Sequence, residues 1–182
     1  MKDLSLNLLD IAENSVKAGA TLTKLLLTQE AGILTFQVVD DGCGMTEEVL
    51  RGVVDPFYTT RTTRKVGMGL PLLRMAAEQT GGRMTVESRH KDAYPDNHGT
   101  VVTAVFHTDH IDCPPVGDMT ATVTTLIQGH PDTDFYFRHV CDGTEVELDT
   151  RALRQILGEV SLAEFEVLQW ITGYLTDQYN GQ

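Results

Sequence analysis

Val38–Glu48 reads VVDDGCGMTEE. Two valines run into paired aspartates, two glycines flank a cysteine, and acids follow. The alternating run ahead of it, ILTFQVVD, suits a strand, which places Asp40 at a strand end. A carboxylate there can accept a hydrogen bond from an exocyclic amine, as adenine offers at N6. Gly42 and Gly44 permit backbone angles and a closeness of approach that a side chain would block. Taken alone, Asp-x-Gly-x-Gly fits a calcium-type loop or a plain acidic turn equally well.

Working outward, KLLLTQE, a turn at Ala31-Gly32 and ILTFQVVD form a β-hairpin that delivers this stretch. Before it, residues 3–18 carry apolar side chains at helical spacing, with Gly19 as the stop. After it, MTEEVLRGVV reads as a short helix capped by Thr46, with acids in the first turn. DPFYTTRTTRKVGMG has turn chemistry, no periodicity and the cations Arg61, Arg64 and Lys65, and reads as a mobile loop. LPLLRMAAEQT is a second helix ended by Gly81-Gly82, and RMTVESR and GTVVTAVFH are strands. Pro114-Pro115 marks a boundary between a domain over 1–112 and an α+β extension over 113–182. That extension holds ATVTTLIQG, a hairpin turning at Asp142-Gly143, and two helices, the second capped by Ser161. Its last helix carries the stripe Phe165, Leu168, Ile171 and Leu175, expected in the core, with Trp170 on the flank.

The chain has 182 residues, 41% apolar and 22% charged, ordinary for a globular protein. It lacks an apolar run long enough for a membrane span and an export signal at its start. Cys43, Cys113 and Cys141 are odd in number and widely spaced, which argues against a disulfide framework or a zinc site and fits a cytoplasmic location. A net charge of −12 makes nonspecific nucleic-acid binding unexpected. It still allows a nucleotide whose phosphates are neutralised by a metal ion and a few local cations.

Three further stretches carry chemistry. Asp10, Glu13, Asn14 and Lys17 sit at i, i+3, i+4 and i+7 and share one helix face. That is either a solvated face or a partial oxygen shell for Mg²⁺. VGMGLPLL places Gly67, Met68, Gly69 and Leu70 at a helix start, where backbone amides bind phosphate or simply form a cap. In HGTVVTAVF, Thr100 follows Gly99 at a strand start, its hydroxyl within reach of a base or of Asp40.

Together, DIAENSVKAGAT, VVDDGCGM, DPFYTT, VGMGL and HGTVVTAVF resemble, in order, the N, G1, F, G2 and G3 boxes of the GHKL superfamily. This is the Bergerat ATP-binding fold of gyrase B, heat-shock chaperones, histidine kinases and MutL proteins. The resemblance covers about residues 1–108. It implies a two-layer α/β sandwich, a mixed and mostly antiparallel sheet with helices on one face. ATP would lie between the helices and a lid. By position, Asn14 is similar to the Mg²⁺ ligand, and Asp40 to the adenine carboxylate, supported by Thr100 through water. Gly42, Gly44 and Met45 match the G1 box, Phe57 the F-box aromatic, and Gly67, Met68, Gly69 and Leu70 the lid end. Lys17 matches a position near phosphate. Arg61, Arg64 and Lys65 would neutralise the phosphoryl group.

The subfamily signals diverge. AENSVKAGAT and DDGCGM resemble MutL, whereas DPFYTTR and VGMGLPLLRMAAEQTGGRMTVES resemble histidine kinases. In MutL-like members a glutamate four residues before the Mg²⁺ asparagine activates water. Here that position is Asp10, one methylene shorter, and about 1 Å of misplacement can cost ~10²-fold in rate. Glu13 is not expected to substitute for it. With nine residues ahead of Asp10, and no histidine on an upstream helix, a stand-alone domain acting in trans on a partner protein is expected. The alternatives are a MutL-like hydrolase with ATP-driven homodimerisation, using Asp10 as base, and a non-catalytic module whose partner affinity is tuned by nucleotide.

Overall fold

The computed structural model describes residues 3–54 and 69–181. Helix α1 (Leu4–Lys17) starts where the Asp3 carboxylate accepts the Leu6 N–H, and it ends two residues ahead of Gly19, whose φ is +78°. Strands β1 (Leu22–Glu30) and β2 (Ile33–Asp40) pair as a hairpin. Its turn residues, Ala31 and Gly32, have φ of 51° and 79°, the geometry that matches strand twist. Helix α2 (Glu47–Val54) begins with the Thr46 hydroxyl accepting the Val49 N–H. Helix α3 (Gly69–Gln79), β3 (Arg83–Arg89) and β4 (Gly99–His107) follow.

Beyond the two prolines come α4 (Met119–Gly129), β5 (Asp134–Cys141), β6 (Thr144–Asp149), α5 (Thr150–Leu157) and α6 (Phe165–Asn180). ATVTTLIQG falls in α4 although its Thr and Val residues favour strands. The Asp118 carboxylate caps it by accepting the Ala121 N–H at 2.9 Å. The hairpin turn at Asp142 and Gly143 is as expected, both with positive φ.

The strands form one sheet in the order β3-β4-β2-β1-β5-β6. Every pairing is antiparallel except β1 with β5. Register aligns one buried face across the sheet. Val38 lies opposite Leu25 and Val102, Phe36 opposite Leu27 and Ala104, and Phe137 opposite Leu25 and Leu148. All these are buried, and the helices cover them. The other face, with Lys24, Thr28, Arg138, Glu145 and Glu147, is exposed. The result is the two-layer α/β sandwich with helices on one face. Burying Phe36, Phe106, Phe135 and Phe137 contributes about 1.5–3 kcal/mol each.

Residues after Pro115 build the same layers. The Leu4 and Ser5 N–H groups donate to the Pro115 and Val116 carbonyls at 2.9 Å, and α4 packs on α1. One expectation about the last helix fails, and the core stripe holds at Leu168, Ile171 and Leu175 but not at Phe165. Ser161 does not cap it: its hydroxyl accepts from the Ala163 N–H in a preceding turn, and Glu164 stands at the N-cap. Phe165 is 71% exposed, while Ile171 and Leu175 are fully buried. Starting the helix at 165 leaves its first residue beyond the packed stripe.

Candidate functional site

The end of β2 and the inner face of α1 meet at a cleft of about 260 Å³. Strand alternation separates the adjacent carboxylates of the opening stretch. Asp40 lines the cleft, where Ser15 Oγ donates to its Oδ2 at 2.7 Å and the Gly42 N–H to its Oδ1 at 2.9 Å. A carboxylate has about four acceptor positions, so roughly half of its capacity is left. Asp41 serves the backbone instead. It accepts the Thr21 hydroxyl and the Thr21 and Leu22 N–H groups, anchoring the start of β1. Burial would push its carboxyl up, but these hydrogen bonds outweigh that and hold it below the usual carboxylate value.

The cleft walls are mainly apolar: Ile11, Val38, Met45, Val49, Leu70 and Val102. Asn14, Lys17 and Thr100 add polar groups. Thr100 stands opposite Asp40 in the β2–β4 register. Its hydroxyl lies 2.8 Å from Ser88 Oγ, which also accepts the Met45 N–H at 2.7 Å. This network ties the floor of the cleft to the loop after β2.

The glycines clear the chain's own backbone. A Cβ on Gly44, where φ is +72°, would fall 1.9 Å from the Arg89 carbonyl oxygen. One on Gly42 would fall 2.9 Å from the Ala18 Cβ. The Cys43 N–H donates to the Ala18 carbonyl, and the Lys91 N–H to the Cys43 carbonyl. His98 Nδ1 bonds the Gly42 carbonyl, which can only accept, so that nitrogen carries the proton. The loop bearing Asp40's neighbours is thus held from both sides.

Helix α1 divides its polar residues. Asn14 and Lys17 face the cleft, whereas Glu13 bonds His130 Nε2 at 2.8 Å on α4's side. The shared face expected for all four residues is therefore split, because i+3 lies far enough round the helix to meet α4. Asp10 is exposed and lies against Gly69, where an added Cβ would be 3.5 Å from Asp10 Cβ. Gly42 and Gly69 do not line the cleft, whereas Gly44, Met45 and Leu70 do. Phe57, Arg61, Arg64, Lys65, Gly67 and Met68 lie outside the described residues.

Sequence reasoning missed Ser15, Ser88 and His98. Ser15 is one residue from Asn14, and helical spacing could have put it on the cleft side with Ile11. Ser88 and His98 carry no local signal, since their roles arise from strand register and a loop closure. As for a metal, one amide oxygen at the cleft edge, with water and phosphate oxygens completing the shell, suits Mg²⁺.

Residues 2–110 match the sequence model of the histidine kinase-, DNA gyrase B-, and HSP90-like ATPases. The tetrathionate sensor histidine kinase TtrS of Salmonella typhimurium is 33% identical over 99 residues, 54% of this chain and 16% of TtrS. The sensor kinase CckA of Brucella abortus is 37% identical over 60 residues, 32% of this chain and 6% of CckA. The chain thus spans less than a fifth of the length of either relative. Among solved structures, a mycobacterial sensor histidine kinase, MprB, aligns with a TM-score of 0.40 at 22% identity, covering 53% of this chain and 64% of that one. The catalytic domain of histidine kinase ThkA aligns with a TM-score of 0.39 at 20% identity, over 54% and 62%. With the match to residues 2–110 spanning more than half its length, this chain belongs to the histidine kinase-, DNA gyrase B-, and HSP90-like ATPase family.

Proposed function

We propose that this chain binds ATP with Mg²⁺ and passes the γ-phosphoryl group to a partner protein. The observation that carries the reading is Asp40: a carboxylate held by Ser15 and the Gly42 amide, with acceptor capacity left over, on the wall of an apolar cleft. A purine's faces suit Ile11, Met45 and Val102, and its amino group suits Asp40. Thr100 supports that carboxylate across the β2–β4 register. Asn14 would hold the metal, which supplies charge neutralisation along the triphosphate. Lys17 lies on the same side of the cleft for a phosphate oxygen. The family resemblance would give Arg61, Arg64 and Lys65 the transferring group; they, like Phe57, Gly67 and Met68, lie outside the described residues.

None of the six histidines lines the cleft. An acceptor group outside these residues fits that arrangement. Titration of wild type and Asp40→Asn with ATP, with and without Mg²⁺, is expected to show a loss of about 1–3 kcal/mol for the variant. Equal affinities would remove Asp40 from the site. Labelled ATP should then label an added acceptor protein and leave the chain itself unlabelled.

A MutL-like hydrolase is the second reading, favoured by the place of Asp10 beside Gly69 at the start of α3. Under it, Asp10→Asn abolishes phosphate release without acceptor while ATP binding persists. Release that continues in the variant excludes Asp10 as the base.

A further inference from the structure

We propose that the groove between β6, α5 and α6 docks a cationic amphipathic segment of a partner protein. This goes beyond the nucleotide reading and does not depend on it. The groove encloses about 540 Å³. Its apolar side is Ile156 of α5, 83% exposed, facing Trp170 and Tyr174 of α6, which stack with ring centroids 4.9 Å apart. Aromatic and long aliphatic side chains left in water beside each other mark binding surfaces better than scattered ones do.

Two observations select the occupant. Every charged residue bordering the groove is acidic: Glu145, Glu147 and Asp149, which alternate with buried Val146 and Leu148 and so rim it from the helix-free side of the β6 edge. Residues 113–182 carry eleven Asp and Glu against three Arg, a net −8 of the chain's −12. A second copy would bring the same charge to the same face and is disfavoured. Glu145 and Asp149 already hold Arg138 and Arg151 in exposed ion pairs, so the rim accepts guanidinium groups. Such exposed pairs are weak enough for a partner's cations to replace them.

The outer edge of β6 also limits how the partner binds. The Gln178 side-chain oxygen accepts the Glu147 N–H at 2.9 Å, and its nitrogen donates to the Glu147 carbonyl at 3.0 Å. One amide thereby takes both backbone groups that an added strand would need there. The partner engages through side chains: an apolar anchor against Ile156 and Trp170, with arginine or lysine on the acidic rim.

Trp170 is the sole tryptophan, so its emission reports this groove directly. The probe is a synthetic amphipathic helix of leucine and arginine, with a leucine–glutamate helix of equal length as control. The expected result is a saturable blue shift with the arginine peptide, weakened by added salt. Ile156→Asp and Glu147→Arg, each checked for folding by circular dichroism, should weaken binding about tenfold or more. Absence of a saturable shift, an equal response to the glutamate peptide, or unchanged affinity in both variants overturns the proposal. So does sedimentation showing that the groove pairs two copies of the chain.

Discussion

Two regions of the sheet, its middle at β2 and its edge at β6, use polar groups in opposite ways. Around Asp40, a carboxylate is fixed by two donors and left partly open inside an apolar cleft. Around β6, polar groups satisfy one another: Gln178 with the Glu147 backbone, Arg138 with Glu145, and Arg154 with Asp134. The first arrangement offers directed acceptors to a small ligand. The second offers area and charge to something larger. Both rest on one layer of buried side chains, and that shared core is where the contrast can be broken.

The largest expected effect comes from truncating that layer. Phe36→Ala on the cleft side and Phe137→Ala on the far side should each cost about 3–5 kcal/mol, with a single cooperative unfolding transition. Calorimetry showing residues beyond 115 melting separately, with the cleft side unaffected, would split the molecule in two.

Glycines sharpen the comparison at smaller amplitude. Gly44→Ala should cost about 1–3 kcal/mol, since its Cβ would collide with the Arg89 carbonyl at a positive φ. Gly173, inside α6 with open space where a Cβ would go, should behave in reverse. Gly173→Ala is expected to stabilise by about 1 kcal/mol. Denaturant midpoints measure both, and equal signs would contradict the structure.

Acid provides the finest test. Burial pushes the His139 pKa below its ordinary 6.5, with Tyr179 Oη on Nδ1 at 2.9 Å. The unfolded chain takes up that proton first, so stability is full above 6.5 and declines as pH falls through the lower folded value. Asp41 is held below its ordinary 3.8, so its contribution is full above 3.8 and is lost only under stronger acid. His139→Leu should flatten the upper part of an acid-unfolding curve and Asp41→Asn the lower part. A variant that leaves its own window unchanged refutes that assignment.

Much of this is legible in the sequence because the signals are local. ILTFQVVD alternates, Ala31-Gly32 and Asp142-Gly143 turn, and Leu4, Leu8 and Ile11 recur at helical spacing. Asp40 is legible because a carboxylate followed by spaced glycines needs a reason. What escapes depends on partners distant in the chain. Thr23 of β1 meets Phe135 of β5 through a pairing across more than half the chain. Glu13 shares the Asp10 face by spacing alone, yet α4 brings His130 to it from another side. Ser88 matters only because β3 and β4 set it between Met45 and Thr100. In α4, strand-prone threonines are helical because packing against α1 and α6 overrides propensity.

The parallel pairing of β1 with β5 also shapes how the chain comes off the ribosome. Strand β1 is nine residues long, and its second neighbour begins only at Asp134. At about 5–20 residues per second, roughly 100 intervening residues leave that flank bare for several seconds. During this interval an interior strand behaves as an edge, a template for mispairing with other nascent chains. Keeping that flank of β1 from mispairing until residues 134–141 are available is the demand this topology places on synthesis.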